Sequence, residues 1–358
     1  MKRILLILVG GTICTELNEK GSLSVGDKAG SLLVSNYKKS GSPYTDKVEF
    51  DVSENLYILS ENMTVDKWNR MIEAYYSYTK DKKYDGIIFA HGTDTLAYSA
   101  ALFGQILSDT EIPAFFVSAH RPLSDKTTNG NDNFKAAVEC ICREISPNVY
   151  VAYRNISDGQ TYLHLGSRIC QCQNYSDDFY SKGAINITAI DDRNYKEYFD
   201  EIREKYTPDN RIRGVTLNAE QKLKKCVLML EPYVGLNYSS IDYSRYKAVL
   251  HGAYHSGTAC VSTENVSESI LYMITECAKL GVDTYISPSI LRNGTYETVS
   301  DMGESTENGE GINFLYGYTK ETAYAKILIA YSLFDDENKR KEYINTEYNF
   351  EIIEKAGD

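Results

Sequence analysis

No apolar run in this 358-residue chain is long enough to cross a bilayer, and no Lys/Arg-rich stripe marks a nucleic-acid face. Internal repeats and low-complexity tracts are absent. The cysteines form no Cys-x-x-Cys pair. Cys170-x-Cys172, with His164 nearby, lacks zinc-site spacing, so alternation along a strand is the better reading and no metal is expected. Gly10-Gly11 lacks the Gly-x-Gly-x-x-Gly spacing of a dinucleotide fingerprint. The formal net charge of -12 fits a soluble protein meeting small molecules rather than nucleic acid or membrane. The thirty tyrosines are spread without basic clusters and read as core and interface residues rather than base-stacking platforms. Most of the eight cysteines sit inside apolar segments, which predicts free thiols in a reducing compartment, the cytoplasm. Met1-Lys2-Arg3 and six apolar residues look like the start of a signal peptide, but the run is short and no Ala-x-Ala-like cleavage site follows.

What is present is an alternation of strand-like and helix-like segments. Residues 3–9, 55–60, 87–90, 112–117 and 148–153 read as strands; residues 65–78, 95–107 and 131–142 have helical spacing. Such β-α units predict a parallel sheet with helices on both faces. Residues 15–46 are rich in Gly, Ser, Asn and Lys and read as a long lid-like loop. The charged stretch at 190–224 breaks the pattern, and a second, smaller α/β segment follows, with strands at 226–230, 248–250 and 284–286. Its helices fall at 266–280, 319–333 and 337–354. The expected domains are 1–200 and 222–358.

Two threonine motifs stand out. Gly10-Gly11-Thr12-Ile13 follows the first apolar run, and His91-Gly92-Thr93-Asp94-Thr95 follows Gly86–Ala90. In an open α/β sheet, ligands bind outside the carboxyl ends of the strands, so both hydroxyls are delivered to one edge. Thr12, behind two glycines, suits a nucleophile with an accessible hydroxyl. Thr93 is placed to assist proton transfer and Asp94 to hold an ammonium group, or else to cap the helix that follows. Amides at that helix start favour an anion.

Together these motifs resemble the bacterial-type L-asparaginase/glutaminase family, which has Gly-Gly-Thr-Ile after its first strand and His-Gly-Thr-Asp-Thr after a later one. Ser60-Glu61-Asn62-Met63 resembles its substrate-carboxylate segment, Ser118-Ala119-His120-Arg121-Pro122 its Gly-Ala-Met-Arg-Pro loop, and Tyr254–Thr258 its Gly-x-Gly-Asn-like turn. The resemblance implies a two-domain asparaginase-like α/β fold, with a larger N-terminal parallel-sheet domain and a smaller C-terminal one. It implies hydrolysis of an amino-acid amide, asparagine to aspartate and ammonia, without metal or cofactor. Thr12, Thr93 and Asp94 would be catalytic. Ser60, Glu61, Gly92 and Ala119 would bind substrate. Relatives are commonly tetramers built from intimate dimers, so a homodimer or homotetramer is expected.

Two residues of the family pattern are missing. The lysine that pairs with the Thr-Asp motif falls at Cys170 or Gln171, and the lid tyrosine at Ser22 or Leu23. Each positioned proton-transfer group contributes roughly 10²–10⁴ in rate. Lys20, Lys28, Tyr37, Tyr44, Lys126, Tyr254 and His255 are the candidates for compensation. Two alternatives follow from the departures. One is an amidase for glutamine or an asparagine-containing peptide; the other is a non-catalytic amino-acid-binding protein on the same fold.

Overall fold

The apolar run behind Arg3 forms strand β1 (Lys2–Leu8), in which Ile4 to Leu8 are all buried. A strand apolar on both faces belongs inside a covered parallel sheet. The computed structural model describes residues 1–17, 23–25, 28–188, 190, 194–205, 217, 220–289, 296–304 and 311–353. In it β1 lies between β4 (Val48–Val52) and β5 (Gly86–Ala90), parallel to both. β6 (Ala114–Val117) and β7 (Val149–Arg154) extend the parallel ladder. Beyond them the direction reverses: β8 (Thr161–Leu165) is antiparallel to β7, and β11 (Ile185–Asn186) to β8. The order is β11-β8-β7-β6-β5-β1-β4, so the expected parallel sheet carries an antiparallel edge. Two small ladders accompany it, β2 (Thr15–Leu17) with β3 (Leu23–Val25) and β9 (Ile169–Cys170) with β10 (Tyr180–Ser181).

Helices cover both faces, as the period of two requires. Ile88 and Phe115 point into a core shared with α1 (Ala29–Lys38), α4 (Gly130–Cys142) and α5 (Tyr195–Lys205). Their neighbours Phe89 and Phe116 face the other way and meet Phe103 of α3 (Leu96–Ile106). On that same side, Trp68 of α2 (Val65–Thr79) donates its indole N–H to Ser99 Oγ at 2.9 Å.

Three segments depart from the sequence reading. The stretch at 15–46 is not all loop. It holds the β2–β3 hairpin and α1, whose Ala29, Leu33 and Tyr37 are buried at four-residue spacing. Interleaved Gly and Ser dilute that period in the sequence. The strand expected at 55–60 lies instead at Val48–Val52. Residues 56 and 58 still follow β1, their amides donating to Leu8 O and Val9 O at 2.9 Å each. The charged stretch after 190 contains α5, anchored by buried Tyr195, Phe199 and Ile202.

The chain divides into two units, Met1–Lys222 with Tyr348–Phe350, and Leu223–Glu347 with Glu351–Asp358. The second unit is a four-stranded parallel sheet, β12 (Val227–Leu230), β13 (Ala248–His251), β14 (Asp283–Ser289) and β15 (Asn313–Tyr316), in that order. Its helices are α6 (Ile270–Leu280), α7 (Glu297–Gly303), α8 (Lys320–Leu333) and α9 (Glu337–Asn345). Gly281, left-handed at φ 66, ends α6. The last helix stops at Asn345 rather than reaching 354. None of the eight cysteines, all of them described, is in a disulfide. Among the described residues no helix is long and apolar enough to cross a membrane.

Candidate active site

The strand order locates the site. β1 leads to β4 on one side of the sheet, whereas neighbouring β5 leads to β6 on the other. Connections that diverge in this way open a crevice beyond the carboxyl ends of the two strands. The two threonine motifs occupy the two loops at this switch point.

Glycine lets these loops touch. Val9 N and Gly10 N both donate to Ala90 O, at 3.0 and 3.2 Å. Gly11 has φ +74, and a Cβ on it would fall 2.1 Å from Gly92 Cα. A Cβ on Gly92 would fall 2.4 Å from Ser60 Oγ. The Gly11 and Gly92 backbones therefore meet where only hydrogen atoms fit, and the Ser60 side chain packs directly on Gly92. Thr12, half-buried, opens a short 3-10 turn that ends at Cys14, and Thr15 Oγ1 donates to Thr12 O at 2.8 Å.

Ser60 links the pieces. It is buried, and its hydroxyl donates to Asp94 Oδ2 at 2.9 Å. Asp94 N donates back to Ser60 Oγ at 3.3 Å, and Thr95 Oγ1 donates to Ser60 O at 2.9 Å. Asp94 is therefore not the cap of α3. That helix begins one residue later, behind Thr95, and no side chain of its N-cap residue closes it. Asp94 is exposed to solvent, as a group awaiting a small ligand would be. Thr12, Ser60, Gly92, Thr93 and Asp94 thus come together. Glu61 lies on the exposed side of the turn Ser60–Asn62.

Ala119 is buried at the end of β6, one strand further along. Its loop is pinned by α4: Asn133 Nδ2 donates to Ser118 O at 2.8 Å, and Asn129 Oδ1 accepts from His120 N at 3.0 Å. Asn129 and Asn133 carried no sequence signal of their own.

His91 is fully buried, and its Nδ1–H donates to Gly92 O at 2.7 Å. Burial pushes its pKa down to about 4, so the ring is neutral near pH 7. Its Nε2 has no hydrogen-bond partner among the described residues. Burial also pushes the Cys172 thiol up, away from thiolate. Among the described residues no group of three or more His, Cys, Asp or Glu is placed to hold a metal ion.

Of the two candidate positions for the missing lysine, Gln171 is the one that reaches the motif. Its Nε2 donates to Thr93 O at 2.7 Å. Cys170 is instead a strand residue facing Tyr180 across the β9–β10 ladder. Of the candidate positions for the tyrosine, Ser22 lies outside the described residues, as does Lys20, and Leu23 pairs with Leu17 in the hairpin. Tyr37 is a core residue whose hydroxyl meets Ser42 Oγ at 3.2 Å, and Tyr44 receives a hydrogen bond from Arg143 Nε. Both are occupied away from the threonines.

Residues 3–201, more than half of the chain, match the family described as Asparaginase, N-terminal. A glutamyl-tRNA(Gln) amidotransferase component from Methanosphaera stadtmanae is 24% identical over 352 residues, covering 98% of this chain and 77% of that protein. Its counterpart from Methanothermobacter thermautotrophicus is 22% identical over 300 residues, covering 84% of this chain and 66% of that protein. Both relatives therefore have sequence beyond the match. The solved structure of the thermostable L-asparaginase from Thermococcus kodakarensis superposes with a TM-score of 0.74, covering 99% of this chain and 100% of that one at 20% identity, which speaks to the fold. A sheet whose switch point carries both threonine motifs, and a family match across most of that unit, lead to one conclusion: this chain belongs to the asparaginase family and has its two-domain α/β fold.

Proposed function

We propose that this protein is an asparaginase-type amidohydrolase that releases ammonia from the side-chain amide of a small amino acid, asparagine first. The observation that carries the reading is the contact of the Gly11 and Gly92 backbones, which sets Thr12 and Thr93-Asp94 side by side at one switch point. Thr12 Oγ attacks the amide carbon and loses its proton to a neighbouring base. The base returns that proton to the amide nitrogen as the tetrahedral intermediate expels ammonia, and water then hydrolyses the Thr12 ester, releasing aspartate and restoring the Thr12 hydroxyl. Asp94 holds the α-ammonium and Ser60 the α-carboxylate. Backbone N–H groups beside the two threonines stabilise the oxyanion, usually the largest single contribution in acyl transfer. Thr93 orients the water of the second step. No cofactor is needed, and the protein works in the cytoplasm as a homodimer or homotetramer.

A second reading has its own support, the amidotransferase components among the relatives. In it the same site hydrolyses an amide, glutamine included, and passes ammonia to a partner protein. The chain would then work in a hetero-assembly, and RNA would approach the assembly rather than this acidic chain.

Ammonia release from asparagine, glutamine and aspartyl peptides, with Thr12→Ala and Thr93→Ala beside the parent, tests both. Turnover abolished by Thr12→Ala is the expected result. No turnover of any amide, together with measurable aspartate binding, would leave a binding protein on an enzyme fold. Activity surviving both substitutions would move the chemistry elsewhere.

A further inference from the structure

We infer that Gln171 is a positioning residue, which fixes the carbonyl of Thr93 and with it the Thr93 hydroxyl and the Asp94 carboxylate. The inference rests on the hydrolytic reading for its kinetic part only. Both ends of the Gln171 amide are engaged: Nε2 donates to Thr93 O at 2.7 Å, and Oε1 accepts from Ala97 N at 3.2 Å. Flipping the amide would set its NH₂ against the Ala97 N–H and its oxygen against the Thr93 carbonyl, so the network allows one orientation. Ala97 is the second residue of α3, where backbone N–H groups have no partner inside the helix. The N-cap residue Thr95 provides no side-chain cap, and Gln171 supplies an acceptor from another element.

The base of this bridge is well held. Gln171 follows β9, and just before that strand Ser167 Oγ donates to Asn349 O at 2.8 Å while Arg168 Nε donates to Phe350 O. Ile169 is buried. The loop it reaches is tethered elsewhere at Gly92, packed against Gly11, and at Thr95, bonded to Ser60 O. Of the two residues between those tethers, Asp94 is held by Ser60, and Thr93, whose hydroxyl the second step uses, has its carbonyl held by Gln171 at 2.7 Å beside the longer Leu96 N–H contact at 3.4 Å. A neutral amide in this place orients Thr93 without supplying a charge or a base.

Two variants separate the two ends of the amide. Gln171→Ala removes both bonds. Gln171→Glu keeps an acceptor for Ala97 N–H but sets a carboxylate oxygen against the Thr93 carbonyl. Amide hydrogen exchange resolved at Ala97 by NMR, together with kcat, KM and Tm between pH 5 and 8, reads them. Gln171→Ala is expected to speed exchange at Ala97 and to lower kcat by roughly ten- to a hundred-fold with KM little changed. Gln171→Glu is expected to leave Ala97 protected and to lose a similar factor in kcat at pH 8. Relative to the parent it recovers toward pH 5, where the protonated carboxyl again donates to Thr93 O. A parent enzyme that turns over no amide, with Ala97 still exposed by Gln171→Ala, refutes the hydrolytic reading and upholds the anchor. Unchanged Ala97 exchange and unchanged kcat in Gln171→Ala overturn the inference. So does a loss in both variants that follows Tm and raises KM to the same degree.

Discussion

Ser60 Oγ donates to Asp94 Oδ2 at 2.9 Å and accepts from Asp94 N at 3.3 Å, so one buried hydroxyl holds the exposed aspartate by its side chain and its backbone. Ser60→Ala removes both contacts but leaves the charge. Asp94→Asn leaves the shape but removes the charge. A hydrogen bond to a charged group contributes about 1.5–3 kcal/mol. Asp94→Asn, which weakens the grip on the ammonium, and Ser60→Ala, which removes the donor to the carboxylate, are therefore each expected to weaken aspartate binding about ten- to a hundred-fold in isothermal titration calorimetry. Equal affinity in all three proteins would remove Asp94 from the ammonium subsite.

The contact between the two threonine loops gives a sharper test. Gly11 and Gly41 have nearly the same left-handed φ, +74 and +71, but a Cβ on Gly11 meets Gly92 Cα at 2.1 Å and a Cβ on Gly41 meets nothing within 4 Å. Gly41→Ala carries only the left-handed conformational cost, about 1–2 kcal/mol, and keeps full activity. Gly11→Ala adds a backbone collision that must push the loops apart, and at ψ -173 Gly11 also lies in a region open essentially to glycine alone. It is expected to abolish amide hydrolysis and to lower the denaturation midpoint well beyond the Gly41→Ala shift. A Gly11→Ala protein as active as the parent would show that the two loops need not touch.

Much of this was legible in the sequence because the signals were local. Ile4–Val9, which carries most of β1, and β5 are unbroken apolar runs, and each is followed at once by its threonine motif. What escaped was either diluted or non-local. The spacing of Ala29, Leu33 and Tyr37 is hidden among Ser, Gly and Asn, so a helix looked like a loop. Asp94 was open to being a cap because the pull of Ser60 comes from 34 residues away. Choosing between Cys170 and Gln171 required the pairing of Cys170 with Tyr180, which no spacing reveals. The antiparallel edge at β8 was unreadable for the same reason: strand direction follows from the connection, not from the residues of the strand.

Buried histidines set an expected pH response. Burial pushes His91 to about 4 and His164 to about 3, from 6.5 in the unfolded chain. Below pH 6.5 the unfolded state takes up protons that these rings refuse in the folded state, so stability falls with pH. The loss for His91 runs from pH 6.5 to its folded value and then stops, amounting to about 3 kcal/mol. Above pH 6.5 the contribution is complete and flat. His91→Asn, which keeps a donor for Gly92 O, is expected to be less stable than the parent at pH 8 and to lose less between pH 6.5 and 4.5. Chemical denaturation at pH 8, 6.5 and 4.5 checks it, and parallel curves for the two proteins would mean that His91 takes up its proton in the fold as readily as in the unfolded chain.

In the second unit, Lys326 of α8 and Glu351 are 1% and 0% exposed, with Nζ and Oε1 2.5 Å apart. Thr346 O accepts from the same ammonium, and the Tyr318 and Tyr343 rings lie 5.1 and 5.6 Å from it. Taking two charges out of water offsets much of their attraction, so the pair as a whole adds little stability. Removing one member is different, because the other is left charged and buried. Lys326→Met alone and Glu351→Leu alone are each expected to cost about 3–5 kcal/mol, whereas the double substitution costs far less than their sum. A double-mutant cycle by urea denaturation measures this. Additive single costs would mean that Lys326 finds enough compensation in Thr346 O and the two rings to stay buried without Glu351.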